Sequence, residues 1–532
     1  MRVPPKVTPA VFSAALKEWR SALGAEWVFT ADDDLDLYRD AYSPFWGEPQ
    51  ERIASAAVAP SSVEEVQAAV RIANRHKIPL YTISTGKNLT YGGSAPAYSG
   101  SVVLDLKRMN RILEVDEANA AALVEPGVSY FDLYRHIRDN KLKLWIDCPD
   151  PGWGSLVGNS LDHGAGYTSV PYRDHFDAHC GMEVVLANGE LIRTGMGALP
   201  GAKTWQQFRY GMGPIVDGLF AQSNFGVVTK MGFWLMPEPE TALSVTVSAP
   251  RYADGPAFCD TLIALMYADI VRSQSQIFSP ILHGPADAEL AGLMARWDAG
   301  RHAALDDYAQ RHGVPFWTAP FTFYGPEKIV RAQWEIVKER FSRIPGAGFK
   351  EDAFFRFPLS DTEVQQVADK ARLGIPSLAY FASRRGPDAP PLEGHIDFSP
   401  VVPMRGAAII EAMDVFSREL AERGVAALGG LPLFYHTRTV TLIYAIPLGR
   451  DPAMNKKARD AFSRLIEIGA ARGWGEYRMH TAYMDKAIGF YSFNNSSLLG
   501  FHQTLKDAVD PNGILSAGRY GIWPKHLRGG GR

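Results

Sequence analysis

Near the end of the chain, Gly475-Glu476-Tyr477-Arg478-Met479-His480 sets a phenolic hydroxyl beside a guanidinium. Together they supply two strong donors, a combination that stabilises an oxyanion. Adjacent residues on a regular strand point to opposite faces, so sharing one ligand requires a bulge or a bend at this point. Earlier, Gly394-His395-Ile396-Asp397-Phe398-Ser399-Pro400 follows a Pro/Gly-rich loop running from Ser383 to Gly394. A histidine placed there can serve as nucleophile, as ligand or as a surface residue. His175 and His179 are four apart, with Asp174 and Asp177 close by. On a helix that spacing turns both imidazoles to one face, as a metal site requires. Phe176 occupies the place of the zinc-protease glutamate, so a structural role is favoured. Ser155, Ser160 and Ser223 lack the G-x-S-x-G elbow, which leaves a hydrolase triad unsupported.

Two glycine clusters could carry a phosphate-bearing ligand. Ser84-Thr85-Gly86-Lys87-Asn88-Leu89-Thr90-Tyr91-Gly92-Gly93 combines glycines with small polar residues. Such a loop can turn backbone N–H groups inward. It is not a Walker A loop, because Asn88 follows the Gly-Lys pair, and it also reads as a glycine-rich surface turn. The second cluster runs from Pro149 through Gly152, Gly154, Ser155, Gly158 and Asn159 to Gly164-Ala165-Gly166-Tyr167. Gly152, Gly154 and Gly158 miss the dinucleotide fingerprint by one residue, and so do Gly195, Gly197 and Gly201. Two such clusters without a Rossmann pattern point to a large cofactor held by another fold, or to turns alone.

These segments need elements to position them. Ser62-Val63-Glu64-Glu65 has capping-box form, with Val66, Ala69, Val70 and Ala73 following at helical spacing and Pro79 closing the helix. Short strands are expected at Leu80 to Ser84, Val102 to Leu106 and Ala121 to Val124. A second capped helix is expected from Ser129, with Asp132, Leu133 and Ile137. The texture is α+β with short connections. Pro237-Glu238-Pro239-Glu240 punctuates the chain before the alternation Leu243, Val245, Val247, which places a domain boundary near residue 240. Val440 to Ile446 reads as a strand, and Asp510 to Leu515 as a turn followed by a strand.

The whole has 532 residues, 46% hydrophobic and 21% charged, with a net charge of −3. That is globular composition, long enough for two or three units, and carries no basic nucleic-acid or membrane-surface footprint. Cys148, Cys180 and Cys259 form no CxxC pair, so neither a disulfide framework nor a thiolate zinc cluster is expected. No secretory signal or apolar run of membrane-spanning length is visible, and a cytoplasmic location is the expectation.

Taken together, these segments resemble the vanillyl-alcohol oxidase/para-cresol methylhydroxylase flavoproteins, most closely the bacterial eugenol oxidase branch (4-alkylphenol oxidases). The resemblance covers nearly the whole chain, through Ser84 to Pro96, Val124 to Val128, Asp147 to Tyr167, Met182 to Leu199, Gln222 to Gly232, Gly394 to Pro400, Glu476 to His480 and Asp510 to Trp523. It implies an α+β fold: residues 1–240 as an FAD-binding domain of two subdomains, completed by 496–532, with 241–495 as an α+β substrate cap.

The cofactor implied is FAD. Thr85, Gly86, Lys87, Asn88 and Leu89 would hold its pyrophosphate, and Pro126, Gly152, Gly154, Ser155, Gly158, Asn159, Gly226 and Val228 would continue the cradle. Arg478 and Arg519 are further candidate contacts, and His395 matches a histidine joined covalently to the flavin's 8α carbon. Tyr91, Tyr477 and Arg478 would surround a phenolic oxygen, with Asp150 near flavin N5 and Tyr167 and Ser399 near the substrate. No metal is implied.

The implied reaction is oxidation of 4-substituted phenols (4-alkyl- and allylphenols, vanillyl-type alcohols). The benzylic carbon gives up a hydride, leaving a para-quinone methide that adds water; an alcohol substrate goes on to aldehyde or ketone. Oxygen is the expected acceptor and a cytochrome c the alternative, in a homodimer. Three departures bear on the substrate and suggest a bulkier or more polar phenol, such as a lignin-derived one. They are the long stretch Thr168 to Asp174, Asp397 beside His395, and Phe434-Tyr435-His436. Rivals from other classes are a zinc hydrolase built on His175 and His179, and a flavin-binding protein without turnover.

Overall fold

The computed structural model describes residues 2–168, 174–284, 286–379, 393–425, 428–436 and 438–529. Most of the Pro/Gly-rich loop (383–392) and residues 169–173 of the long stretch therefore lie outside the described residues.

The first sheet has four strands in the order Val28–Phe29, Ala56–Val58, Val102–Asp105, Leu80–Ile83, with the last three parallel. Helix Val63–His76 supports it: Ser62 accepts from the Glu65 N–H, and Val66, Ala69, Val70 and Ala73 face inward. The reciprocal half of the cap differs from the expected box. Glu65 reaches back one residue further, to the Ser61 N–H and hydroxyl at 2.7 and 3.0 Å. The helix ends before Pro79, at Lys77 in the left-handed region. The second sheet is antiparallel, in the order Ile112–Asp116, Ala121–Val124, Val227–Trp234, His179–Val185, Leu191–Arg193. Helix Tyr130–Asp139, with the complete Ser129/Asp132 capping box, packs Tyr130, Leu133 and Ile137 beneath it.

Beyond the proline punctuation, Thr241–Ala249 runs between Trp317–Gly325 and Gly348–Arg356. Its inward residues Leu243, Val245 and Val247 are fully buried, as period-two alternation dictates. A further sheet orders Ser275–Gln276, Leu428–Phe434, Thr439–Leu448 and Gly394–Phe398, with Val401–Pro403 also pairing with Thr439–Leu448. Helices Gly255–Tyr267, Gly406–Glu422 and Pro452–Ala471 contribute to the core these two sheets share.

The tail departs from the expected strand. Leu515 makes only an isolated parallel bridge to Leu80. The Ile514 and Leu515 N–H groups are spent on the Asp510 carboxylate at 3.0 and 2.9 Å, and Ser516 takes a positive φ of 40°, so extended pairing cannot continue. The tail is fastened instead by buried Lys506, whose ammonium donates to Asn224 O, Leu515 O and Asp510 Oδ2 at 2.7–2.8 Å.

Candidate active site

Two adjoining hollows of about 1050 and 1060 Å³ share Lys87, Asn88, Gly154, Asn159 and Arg478. Sharing these walls, the two form one continuous cleft, which suits an elongated cofactor together with its substrate.

The first hollow begins where strand Leu80–Ile83 ends. Thr85, Gly86, Lys87 and Asn88 form one wall; Pro126, Gly154, Ser155, Gly158 and Asn159 form another; Gly226, Val228 and Arg519 close it. Ser155 caps helix Leu156–Leu161 by accepting from Gly158 N and donates to Pro126 O, tying two walls together. A Cβ on Gly154 would meet no protein atom within 4 Å, so this backbone borders open space inside the cleft. Gly152 is placed differently from the expectation. It lines neither hollow; its N–H donates to Ser377 O at 2.8 Å, and a Cβ would press on Pro376. Its smallness serves backbone packing.

Asp162 organises the far end, receiving Arg519 Nη2 at 3.0 Å, the Tyr520 hydroxyl at 2.7 Å and Asn88 Nδ2 at 2.8 Å. Burial works to raise its carboxyl, yet Arg519 and Arg478 hold it below the usual carboxylate range. Asp162 stays ionised.

The second hollow gathers Tyr91, Asp150, Tyr167, His395, Tyr477 and Arg478 from five distant segments. Tyr91 enters on a short 3₁₀ turn, Leu89–Tyr91, and its hydroxyl lies 3.3 Å from Ser399 Oγ. Leu89 lines this second hollow and not the first. Tyr477 and Arg478 sit in a bend just past the isolated Pro400–Glu476 bridge, which lets consecutive side chains face one space. The Arg478 guanidinium donates to the Tyr477 hydroxyl and lies 4.6 Å from the Tyr91 ring centre and 4.8 Å from that of Tyr477. Burial, then the Tyr477 oxygen, pushes the Tyr91 phenol far above its ordinary value, so it remains a donor. Burial also opposes the charge of Arg478, but the oxygens of Tyr477, Tyr91 and Asp162 outweigh it and hold the guanidinium protonated.

His395 and Asp397 alternate onto the same face of strand Gly394–Phe398 and both line the cleft. Their side chains stand 3.6 Å apart, and the Tyr42 ring sits 5.1 Å from the His395 ring. Tyr42, Asp162, Gln276 and Gln222, which donates to Tyr477 O at 2.8 Å, were not singled out from the sequence. Asp162 and Gln222 fall inside the resembling segments; Tyr42 and Gln276 carry no local signal. Of the three substrate-bearing departures, Asp397 and Tyr435 line the cleft. His436 pairs with Asp174 at 3.4 Å.

His175 and His179 do not share a helix face. His175 lies in a turn, with Nδ1 2.9 Å from the Tyr130 hydroxyl and 2.6 Å from Asn159 Oδ1, and Nε2 3.2 Å from Asp147. His179 opens a strand, with Nε2 3.3 Å from Asp217. The two rings serve separate polar networks. Among the described residues no group of three His, Cys, Asp or Glu could hold a metal ion, and no helix is long and apolar enough to cross a membrane.

Comparison with known proteins places this geometry. The FAD binding domain family matches residues 54–195, which contain both glycine loops. The 4-cresol dehydrogenase [hydroxylating] flavoprotein subunit of Pseudomonas putida is 34% identical over 531 residues, covering 98% of this chain and 97% of that one. The chain belongs to the vanillyl-alcohol oxidase/para-cresol methylhydroxylase family of flavoproteins. Solved structures of the family superpose along its length. The 4-ethylphenol oxidase from Gulosibacter chungangensis, in complex with isoeugenol, gives a TM-score of 0.86 at 34% identity, covering 99% of this chain and 100% of that one. p-Cresol methylhydroxylase with substrate bound gives 0.85 at 32%, covering 98% and 99%. The protein is thus an FAD-dependent oxidoreductase of this family, with its α+β fold. The first hollow, walled by glycines and small polar residues and carrying Arg519, fits FAD.

Proposed function

We propose that the protein oxidises 4-substituted phenols at the benzylic carbon. The observation that carries this reading is the cluster of Tyr91, Tyr477 and Arg478, whose guanidinium donates to the Tyr477 hydroxyl and lies over the Tyr91 ring, in the lining of the cleft that also holds His395 and Asp150. Two hydroxyl donors and a fixed cation lower the cost of a phenolate in a buried place. A phenolate ring donates electron density to its para substituent, so that loss of hydride leaves a neutral para-quinone methide. FAD, which the residues of the first hollow would hold, would supply the two-electron acceptor. Asp150, in the lining of the same cleft, would take a proton from water that adds to the quinone methide, or from the hydroxyl of an alcohol substrate. Residues 84–89, 126 and 154–159, with Gly226, Val228 and Arg519, would hold the cofactor, and His395 would tether it covalently. The names of two relatives, a 4-cresol dehydrogenase and a 4-ethylphenol oxidase, support this substrate class.

Acid precipitation tests the tether: yellow colour retained in the pellet is expected, and colour lost wholly to the supernatant overturns it. Flavin bleaching by 4-ethylphenol, eugenol, vanillyl alcohol and a dilignol tests the substrate class, and no bleaching by any of them refutes it. Oxygen is the acceptor in this reading. The Pseudomonas relative, named as the flavoprotein subunit of a dehydrogenase, supports as second reading an acceptor other than oxygen, with a cytochrome c as the candidate. Mixing reduced enzyme with air separates the two, because slow reoxidation removes oxygen as acceptor.

A further inference from the structure

A third cavity, of about 780 Å³, lies away from the cleft, between helix Gly406–Glu422 and the opposite face of the sheet that carries His395. Strand Thr439–Leu448 divides the two spaces: Ile443 faces the cleft and its neighbour Tyr444 faces the third cavity. A bulge between Gly429 and Leu431 does the same on the adjoining strand, turning Gly429 to this cavity and Leu431 to the cleft. Gly429 has φ +118°, and a Cβ there would meet Ile443 O at 2.2 Å, so the bulge requires glycine.

The walls are apolar and aromatic, with Trp297, Trp317, Tyr444, Met294 and Ile410 among them. One corner is not. Arg301 is 5% exposed, its guanidinium lies 4.0 Å from the Trp297 ring centre, and its Nε is buried without a hydrogen-bond partner among the described residues. Trp297 Nε1 is likewise buried and without a partner there. Two N–H donors left unmatched in one apolar cavity are destabilising unless a ligand satisfies them. The other polar groups are already matched. Asp414 accepts from the Tyr252 hydroxyl at 2.5 Å and lies 3.7 Å from His302. His283 accepts from Ser279 N at 2.9 Å and is held neutral by burial, which pulls it down to about 3. Arg418 brings a second guanidinium to within 5.4 Å of Trp297. Asp414 acts on Arg301 through space, but no hydrogen bond joins the two among the described residues, so the Arg301 Nε and Trp297 Nε1 donors stay unmatched.

We infer that this cavity is a second ligand site, separate from the redox cleft, which takes an aromatic carboxylate: its carboxylate on Arg301 and Trp297 Nε1, its ring among the aromatic walls. A planar carboxylate matches the guanidinium fork, and Trp297, which stacks on Arg301, adds a neighbouring donor.

The test is titration calorimetry on the flavin-loaded protein with benzoate, phenylacetate and 3-phenylpropionate, which lack a phenolic hydroxyl, in the presence of saturating 4-nitrophenol to fill the cleft. Saturable binding of at least one acid is expected, unchanged by 4-nitrophenol. The uncharged amide of the same acid should bind about tenfold more weakly or worse, as loss of a charged hydrogen bond implies. Arg301→Met should weaken the acid by a similar factor. Ser417→Phe, which fills the cavity while keeping Arg301, should abolish binding. The proposal falls if none of the acids binds saturably, if 4-nitrophenol displaces them, or if the amide binds as well as the acid. These arms hold on the unmodified protein even if a variant fails to fold.

Discussion

Replacing Arg478 with Met isolates the charge on which phenol activation depends. The side chain keeps much of its volume, and what disappears is a guanidinium 4.6 Å from one phenolic ring centre and 4.8 Å from the other. Taking a bound phenolic oxygen at about 5 Å from that charge, an effective dielectric of about 20 gives roughly 3 kcal/mol, or roughly 2 pKa units. 4-Nitrophenol is a suitable reporter, since its phenolate absorbs in the visible and its nitro group offers no benzylic hydride. Its ionisation while bound can be followed by difference spectroscopy across pH in the flavin-loaded protein. In the unmodified protein it should titrate below its value in water, because the cation and two donors outweigh burial. In Arg478→Met it should titrate about 2 units higher than in the unmodified protein. Tyr91→Phe, which removes one neutral donor, should produce a shift of about 1 to 2 units in the same direction. An Arg478→Met protein that still binds 4-nitrophenol, retains its flavin and titrates within a few tenths of a unit of the original would refute the electrostatic account.

Other perturbations test the surroundings. Glu476 accepts from Ser399 N at 2.8 Å, and burial pushes its carboxyl well above the usual range. Because the folded value is raised, the folded chain holds this proton after the unfolded chain has lost it, and stability falls as pH rises past about 4.3 toward the folded value. Glu476→Gln keeps the acceptor and removes the titration, so urea midpoints between about pH 5 and 8 should flatten. Gly86 has φ +68°, and a Cβ would lie 2.2 Å from Ser94 Oγ; Gly86→Ala should cost about 1–3 kcal/mol and lower flavin content, read by melting and by visible absorbance per protein. Lys506→Met leaves Asp510 as a buried carboxylate deprived of its cation, a loss of about 3–5 kcal/mol that calorimetric melting should register, with Asp510→Asn in the same chain recovering part of it.

What could be read from the sequence follows from how local each signal is. The helices after Ser62 and Ser129 are set by caps and spacing within a single turn, and they form where expected. Tyr477 and Arg478 declare their chemistry by type, and the bend they need exists, but its cause, the Pro400–Glu476 bridge, joins segments far apart in sequence. Tyr42 beside His395 and Gln276 in the cleft wall are likewise products of tertiary folding, and nothing in their neighbourhoods announces them. The helical spacing of His175 and His179, for which a structural role is favoured from the sequence, is not realised as a helix, because the chain passes from a turn into a strand between them. The tail looked extended by composition, but Asp510 captured the N–H groups that a strand would have used.

Arg478 borders both hollows, and in the proposed reaction two anions would compete for it: Asp162 in the first hollow and a phenolate in the second. Had Asp162 depended on Arg478 alone, a close ion pair would form and little of the cation's field would reach the substrate. The structure satisfies Asp162 from elsewhere, through Arg519, Tyr520 and Asn88, which together occupy both of its oxygens. Arg519 and Tyr520 come from the tail, whose seat depends on Lys506 and on the Leu80–Leu515 bridge. The C-terminal segment therefore does more than close the cofactor hollow. By neutralising Asp162 it leaves Arg478 to Tyr91 and Tyr477, where the phenolate of the proposed reaction would draw the most from its charge.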